Sequence, residues 1–124
     1  MSEDKDKISE AVQLYFDSMY ESSEEKVRQV FHKDAKITGY LQGNLSEQSV
    51  DGFAIFVSSQ TPSPAEKEEE KLLEILSIDI AGSTAVAIVR DGYIGMVFKD
   101  TLSFLKIDDD WVIYNKLYHV ENLI

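Results

Sequence analysis

Few side chains in this sequence are equipped for catalysis, and their spacing narrows the chemistry. The chain has two histidines and no cysteine. Without thiols, disulfide scaffolds, thiolate nucleophiles and thiolate zinc sites are excluded. His32 lies in the stretch FHKDAKITGY at 31–40, two residues before Asp34. That pair is either a base with its carboxylate or a corner between a helix and a strand; a histidine there also suits a helix C-terminal dipole. His119 closes an alternating run, and a neutral imidazole near pH 7 can act as a base. The two lie too far apart, with no helical ligand pair, to predict a metal site. Gly92 and Gly95 read as turn and bend residues rather than a phosphate loop, and no Gly-x-Ser-x-Gly elbow is present. No cofactor is therefore expected.

The elements that must position these groups follow from periodicity. Ile8, Ala11, Val12, Tyr15, Phe16 and Met19 recur at helical spacing, which predicts a first helix over about 4–21. Ser23 can cap a short second helix over 24–31. Residues 35–41 alternate as a strand, Gln42-Gly43 is a hairpin turn, and 44–49 return. Ser49 can cap a third helix carrying Val50, Phe53, Ala54 and Val57, stopped by Thr61-Pro62-Ser63-Pro64. The charge run 66–71 reads as a solvated loop. Strands are predicted over 72–80, 84–90, 93–107 and 111–121, with Asp91-Gly92 and Asp108-Asp109-Asp110 as turns. Helices on one face of a mostly antiparallel sheet make a single α+β domain spanning 1–124. If the sheet is strongly curved, the first helix covers its concave face and leaves a cone-shaped cavity.

Composition bounds the partners. A net charge of −11 repels phosphate backbones and anionic lipid, so no nucleic-acid and no membrane partner is expected. No apolar run approaches the ~18 residues of a membrane span. The N-terminus MSEDKDKISE lacks the apolar core of a signal peptide, and a cytoplasmic protein is expected.

The segment AVQLYFDSMYESSEEKVRQVFHKDAKITGY at 11–40 and the segment LSFLKIDDDWVIYNKLYH at 102–119 together resemble the nuclear transport factor 2-like superfamily, also called cystatin-like. The former carries the helix, the short helix and the Phe-x-x-Asp-Ala corner, and the latter the paired last strands. Within it the chain is most similar to the putative lumazine-binding group, which is polyketide-cyclase-like and ketosteroid-isomerase-like. The resemblance implies that Phe31 and Ala35 are core and that Asp34 bonds nearby amides. It also implies a homodimer packed sheet to sheet. Ketosteroid isomerases use a carboxylate base on the first strand and an oxyanion hole of a tyrosine and a protonated aspartate. Alignment carries the tyrosine onto Tyr15, but puts Gly39 at the base and Ser103 at the protonated aspartate. Steroid isomerase chemistry is not expected.

Alternation with that alignment sorts the last strands. Trp111, Ile113, Asn115, Leu117 and His119 should face the cavity, as should Thr101, Ser103, Leu105 and Ile107. Val12, Tyr15, Met19, Tyr40, Phe53, Ser103, Asn115 and His119 are then the expected pocket lining, with Asp79 and, at the mouth, Tyr93 further candidates. The opposite face, Phe98, Leu102, Phe104, Val112, Tyr114 and Tyr118 with Asp100, Lys106 and Lys116 among them, is the expected dimer interface, since so broad an apolar patch rarely stays wet. Three functions remain open. One is a small-molecule binder with an apolar conical pocket for an apolar or aromatic ligand. Another is an enzyme of the cyclase, isomerase or dehydratase type with Tyr15 and His119 as acid and base. The last is a dimeric interaction module without a ligand.

Overall fold

The computed structural model describes residues 2–124. Helix α1 spans Ser2–Tyr20, with Glu3 and Asp4 in its first turn, where negative charge complements the helix dipole. Asp4 also ties this end to the sheet. Its Oδ1 accepts from Trp111 Nε1 at 3.1 Å and meets Lys106 Nζ at 3.0 Å. The Lys106 and Trp111 hydrogen bonds hold its carboxyl below the usual range. Helix α2 spans Glu24–Val30, and Ser23 caps it by accepting from Lys26 N at 3.2 Å. Strands β1 (Phe31–Leu41) and β2 (Asn44–Ser49) are joined by Gln42 and Gly43. Both residues have positive φ, 51° and 81°, as a two-residue hairpin turn demands. Ser49 caps α3 (Val50–Ser58), accepting from Gly52 N at 3.1 Å. A meander of β3 (Leu73–Ala81), β4 (Thr84–Tyr93), β5 (Met96–Ile107) and β6 (Asp110–Leu123) completes the chain.

The six strands form one open sheet in the order β2-β1-β6-β5-β4-β3. Strands β1 and β6 run parallel and every other pair antiparallel. The helices cover one face, which gives an α+β architecture. Ile8, Val12 and Tyr15 of α1, Val27 of α2 and Phe53 of α3 share one buried cluster with Ile37, Val89, Leu102, Phe104 and Ile113 of the sheet. Phe31 and Ala35 belong to it too. Among the described residues no helix is long and apolar enough to cross a membrane.

Two local events decide which side chains reach the covered face. Strand β4 does not stop at Asp91-Gly92. It continues to Tyr93, and the turn falls on Ile94 and Gly95, with φ of 45° and 79°. The turn signal in Asp-Gly is overridden because Asp91 and Gly92 pair with Phe98 and Val97 inside the ladder. The second event is a bulge on β6. Ser103 pairs with Asn115 but Phe104 pairs with Ile113, leaving Tyr114 as the extra residue. A bulge inserts one residue and reverses the alternation beyond it. Trp111 and Ile113 face the helices before it, and Lys116, Tyr118 and Val120 after it.

The sheet faces therefore differ from those expected. Phe98, Leu102 and Phe104 are buried in the core, not on an outer interface, and Asp100 is buried with them. Tyr118 also packs inward, edge-on to Phe98 with ring centroids 5.8 Å apart. Of the six expected interface residues only Val112 and Tyr114 point away from the helices. The phase of Phe98, Leu102 and Phe104 already carries the correction, because three large apolar side chains on one strand face go inside. An alignment centred on Ser103 reverses that phase.

Candidate functional site

Between the sheet and the ends of α1 and α3 lies a cavity of about 90 Å³. Met19, Ile37, Phe53, Phe56, Phe98 and Tyr118 supply most of its apolar wall, and Ser46 and Gln48 of β2 stand beside them. Three polar residues complete the lining: Asp91, Tyr93 and Lys116. All three are buried, with exposures of 1%, 7% and 6%. Each arrives by one of the events above. Extension of β4 past Asp91-Gly92 turns Asp91 and Tyr93 inward, and the bulge at Tyr114 does the same for Lys116.

Asp91 is the unusual group. Neither of its carboxylate oxygens has a hydrogen-bond partner. Burial, then the charge of Asp100, push its carboxyl well above the ordinary carboxylate range, while Lys116 pulls the other way. Burial and the neighbouring charge both favour the protonated acid. Behind it, Tyr15 donates to Asp100 Oδ2 at 2.6 Å. Burial, then the charge of Asp100, push the Tyr15 phenol well up, so it stays a donor. Asp100 Oδ1 is unpartnered. The Tyr93 hydroxyl also lacks a partner, and burial raises its pKa. Lys116 Nζ lies over ring faces, 4.8 Å from the centroids of Tyr15 and Phe53 and 5.7 Å from Tyr118. Most buried polar atoms in folded proteins are paired. A cluster of unpaired ones beside a cavity marks a place that can receive a ligand or exchange a proton.

The expected pocket residues are distributed unevenly around this site. Met19 and Phe53 line the cavity. Val12 and Tyr15 lie in the core beneath it, with Tyr15 turned toward Asp100. Tyr40 is 64% exposed. Ser103 pairs with Asn115 on the uncovered side of the sheet, and His119 pairs there with Lys99. The structure thus separates Tyr15 from His119, because the bulge reverses the alternation that would have brought them together. Asp79 is likewise on the outer side, opposite Val86. His32 turns a corner: its Nδ1 accepts from Asp34 N at 3.0 Å, and its ring lies 5.1 Å from that of Tyr114.

At Gly39, where the resemblance would put a carboxylate base, the fold leaves no room for a side chain. A Cβ there would fall 2.5 Å from the Tyr118 ring and carbonyl oxygen. The aspartate that the Tyr15 hydroxyl meets is Asp100, while Ser103 lies on the uncovered side of the sheet. An aspartate in phase with Phe98, Leu102 and Phe104 was the legible signal for it. Asp91 was hidden by its turn-like Asp-Gly dipeptide, and Lys116 by a bulge that no residue type announces.

Residues 3–119 match the model of a family described as Putative lumazine-binding. The chain is 30% identical to an NTF2-like protein of unknown function from Methylobacillus flagellatus, covering 98% of this chain and 94% of that one, with a TM-score of 0.84. A second NTF2-like protein of unknown function, from Silicibacter pomeroyi, is 24% identical over 97% and 98% of the two chains, with a TM-score of 0.89. A domain with a cystatin-like fold from Nostoc punctiforme shares the fold at a TM-score of 0.73 and 15% identity, covering 100% of this chain and 81% of that one. In sequence the chain is also 23% identical to Aldolase FrzH of Cladobotryum sp over 118 residues, 95% of this chain and 92% of that protein.

Proposed function

The chain belongs to the Putative lumazine-binding family of nuclear transport factor 2-like proteins, and from that premise we propose that it binds a small apolar or aromatic molecule in its cone. The observation that carries this reading is the wall of the cavity. Aromatic and aliphatic side chains surround buried polar groups that nothing in the fold satisfies, Asp91 and Tyr93 above all. Leaving such groups unpaired costs about 1–3 kcal/mol each, and a ligand that bonds to them removes that cost. The test is native mass spectrometry of the chain purified from its own host, followed by denaturation and identification of what is released. A stoichiometric compound is expected. Ser46→Trp, which fills the space beside the cavity from an edge strand, should release it while leaving the fold intact. A compound retained equally by that variant would show that it binds elsewhere.

A second reading is favoured by one group. An unpartnered acid with a raised pKa beside an apolar cavity suits general acid–base chemistry, and similarity to a protein named as an aldolase supports reactions at a carbonyl-bearing carbon. In this reading Asp91 in its protonated form donates to the carbonyl oxygen while water takes the α-proton, and Asp100 and Tyr15 position Asp91 from behind. Deuterium exchange into the α-carbon of cyclohexanone, followed by NMR, tests it. Wild-type chain should accelerate exchange and Asp91→Asn should not. Equal rates with both would leave binding alone.

Two copies are proposed to associate through the uncovered sheet face. Val86, Leu105, Tyr114 and Leu117 lie there, around or beside a second hollow of about 380 Å³.

A further inference from the structure

Burying an ammonium is far more costly than burying a hydroxyl unless an anion or several acceptors meet it. Lys116 is almost fully buried, yet among the described residues it forms no salt bridge and donates no hydrogen bond. Its Nζ rests over the rings of Tyr15, Phe53 and Tyr118. Ring faces attract the charge but leave its N–H groups without lone pairs to bind. Exposed lysines snorkel into water. This one is held on the inward side of β6 by the bulge at Tyr114, and it lines the cavity. The same wall carries the unpartnered Tyr93 hydroxyl and both unpartnered oxygens of Asp91. Lys116 is the one cation among the lining residues and Asp91 the one acid.

We infer that the cavity takes a compact aromatic or alicyclic carboxylate, its ring against Phe53, Phe98 and Tyr118 and its carboxylate on the Lys116 ammonium and the Tyr93 hydroxyl. The inference rests on the small-molecule reading above and names the class of molecule. Asp91 does not oppose an anion there. Burial and the Asp100 charge push its carboxyl well above the usual range, which favours the protonated form, and that form offers a further donor. A neutral alcohol or ketone would bond to Tyr93 but leave the ammonium without a counter-ion. The net charge of −11 slows the approach of any anion. That long-range field is screened by salt, whereas a contact with Lys116 inside the cavity is not.

The experiment is an NMR titration of the full chain with benzoate and with benzamide, which has nearly the same shape and no charge. Wild-type chain is expected to bind benzoate at least about tenfold more tightly, with shifts centred on Phe53, Phe98 and Tyr118. Lys116→Met keeps the length of the side chain and should erase the preference while still binding benzamide. If that variant fails to fold, Lys116→Gln serves, and the wild-type preference is read independently of either. Equal affinity of the wild type for the two probes, or a preference that survives loss of the lysine, would overturn the inference and leave the binding reading standing. Shifts confined to the outer sheet face would overturn it as well. If neither probe moves any cavity resonance, both readings fall together.

Discussion

Asp91 is where local chemistry and global stability are most directly opposed. A free aspartate ionises near pH 4, and this one is pushed well above that range by burial and by Asp100. Around it stand Tyr15 from α1, Asp100 from β5, Lys116 from β6 and Tyr93 from its own strand. The folded chain therefore holds a proton that the unfolded chain releases. A raised folded-state pKa contributes stability that is complete below about pH 4 and is lost as the pH rises toward the folded value. Asp91→Asn removes the titration. Chemical denaturation between pH 4 and 9 should show the variant gaining on wild type as the pH climbs. Asp4 and Glu121, whose carboxyls are held below their usual range by Lys106 and Arg90, contribute in the opposite sense in both proteins and cancel in the difference. Parallel pH profiles for the two proteins would mean that Asp91 ionises in the folded chain as it does in water.

At the level of elements, the parallel contact of β1 with β6 sets the shape of the cavity. Gly39 pairs with Tyr118, and the Tyr118 ring fills the volume where any other residue would carry a Cβ. Gly39→Ala should destabilise the fold by about 1–3 kcal/mol, the range for forcing atoms into packed space, because the obstacle includes a backbone carbonyl that cannot rotate away. Urea midpoints measure it, and an unchanged midpoint would show that the strands separate freely. The same pair shows what periodicity can and cannot deliver. The three helices, the Ser23 and Ser49 caps, the Gln42-Gly43 hairpin and the four-strand meander all follow from local signals, since spacing, caps and turns are properties of neighbouring residues. The faces of β5 and β6 do not. They depend on a turn displaced from Asp91-Gly92 to Ile94-Gly95 and on a bulge at Tyr114, and both arise from pairing between strands. One residue of slip exchanges Asn115 and His119 for Lys116 and Tyr118, so the site moved while the fold stayed.

For the whole molecule, the reversal of faces relocates the contact proposed between copies without removing the reason for it. The helices cover one side of the sheet, and the other shows Leu117 at 56% exposure, Tyr114 at 36% and Val86 at 37%. Exposed apolar patches of this kind favour association, and a two-fold axis lets one patch serve both partners. Tyr118 packs inward against Phe98, so the residue that can report on that contact is Leu117. Leu117→Asp should shift sedimentation from dimer to monomer, since a carboxylate placed in an apolar interface has no partner. The charge of −11 on each copy adds a second signature. Like-charged partners repel over a distance that shortens from roughly 30 Å at 0.01 M salt to roughly 8 Å at physiological ionic strength. A dimer held by apolar contact should therefore tighten as salt is added, whereas one held by ion pairs should loosen. A wild-type chain that sediments as a monomer at every salt concentration would remove the dimer, and one that dissociates with salt would move the contact to the charged surfaces of the helices.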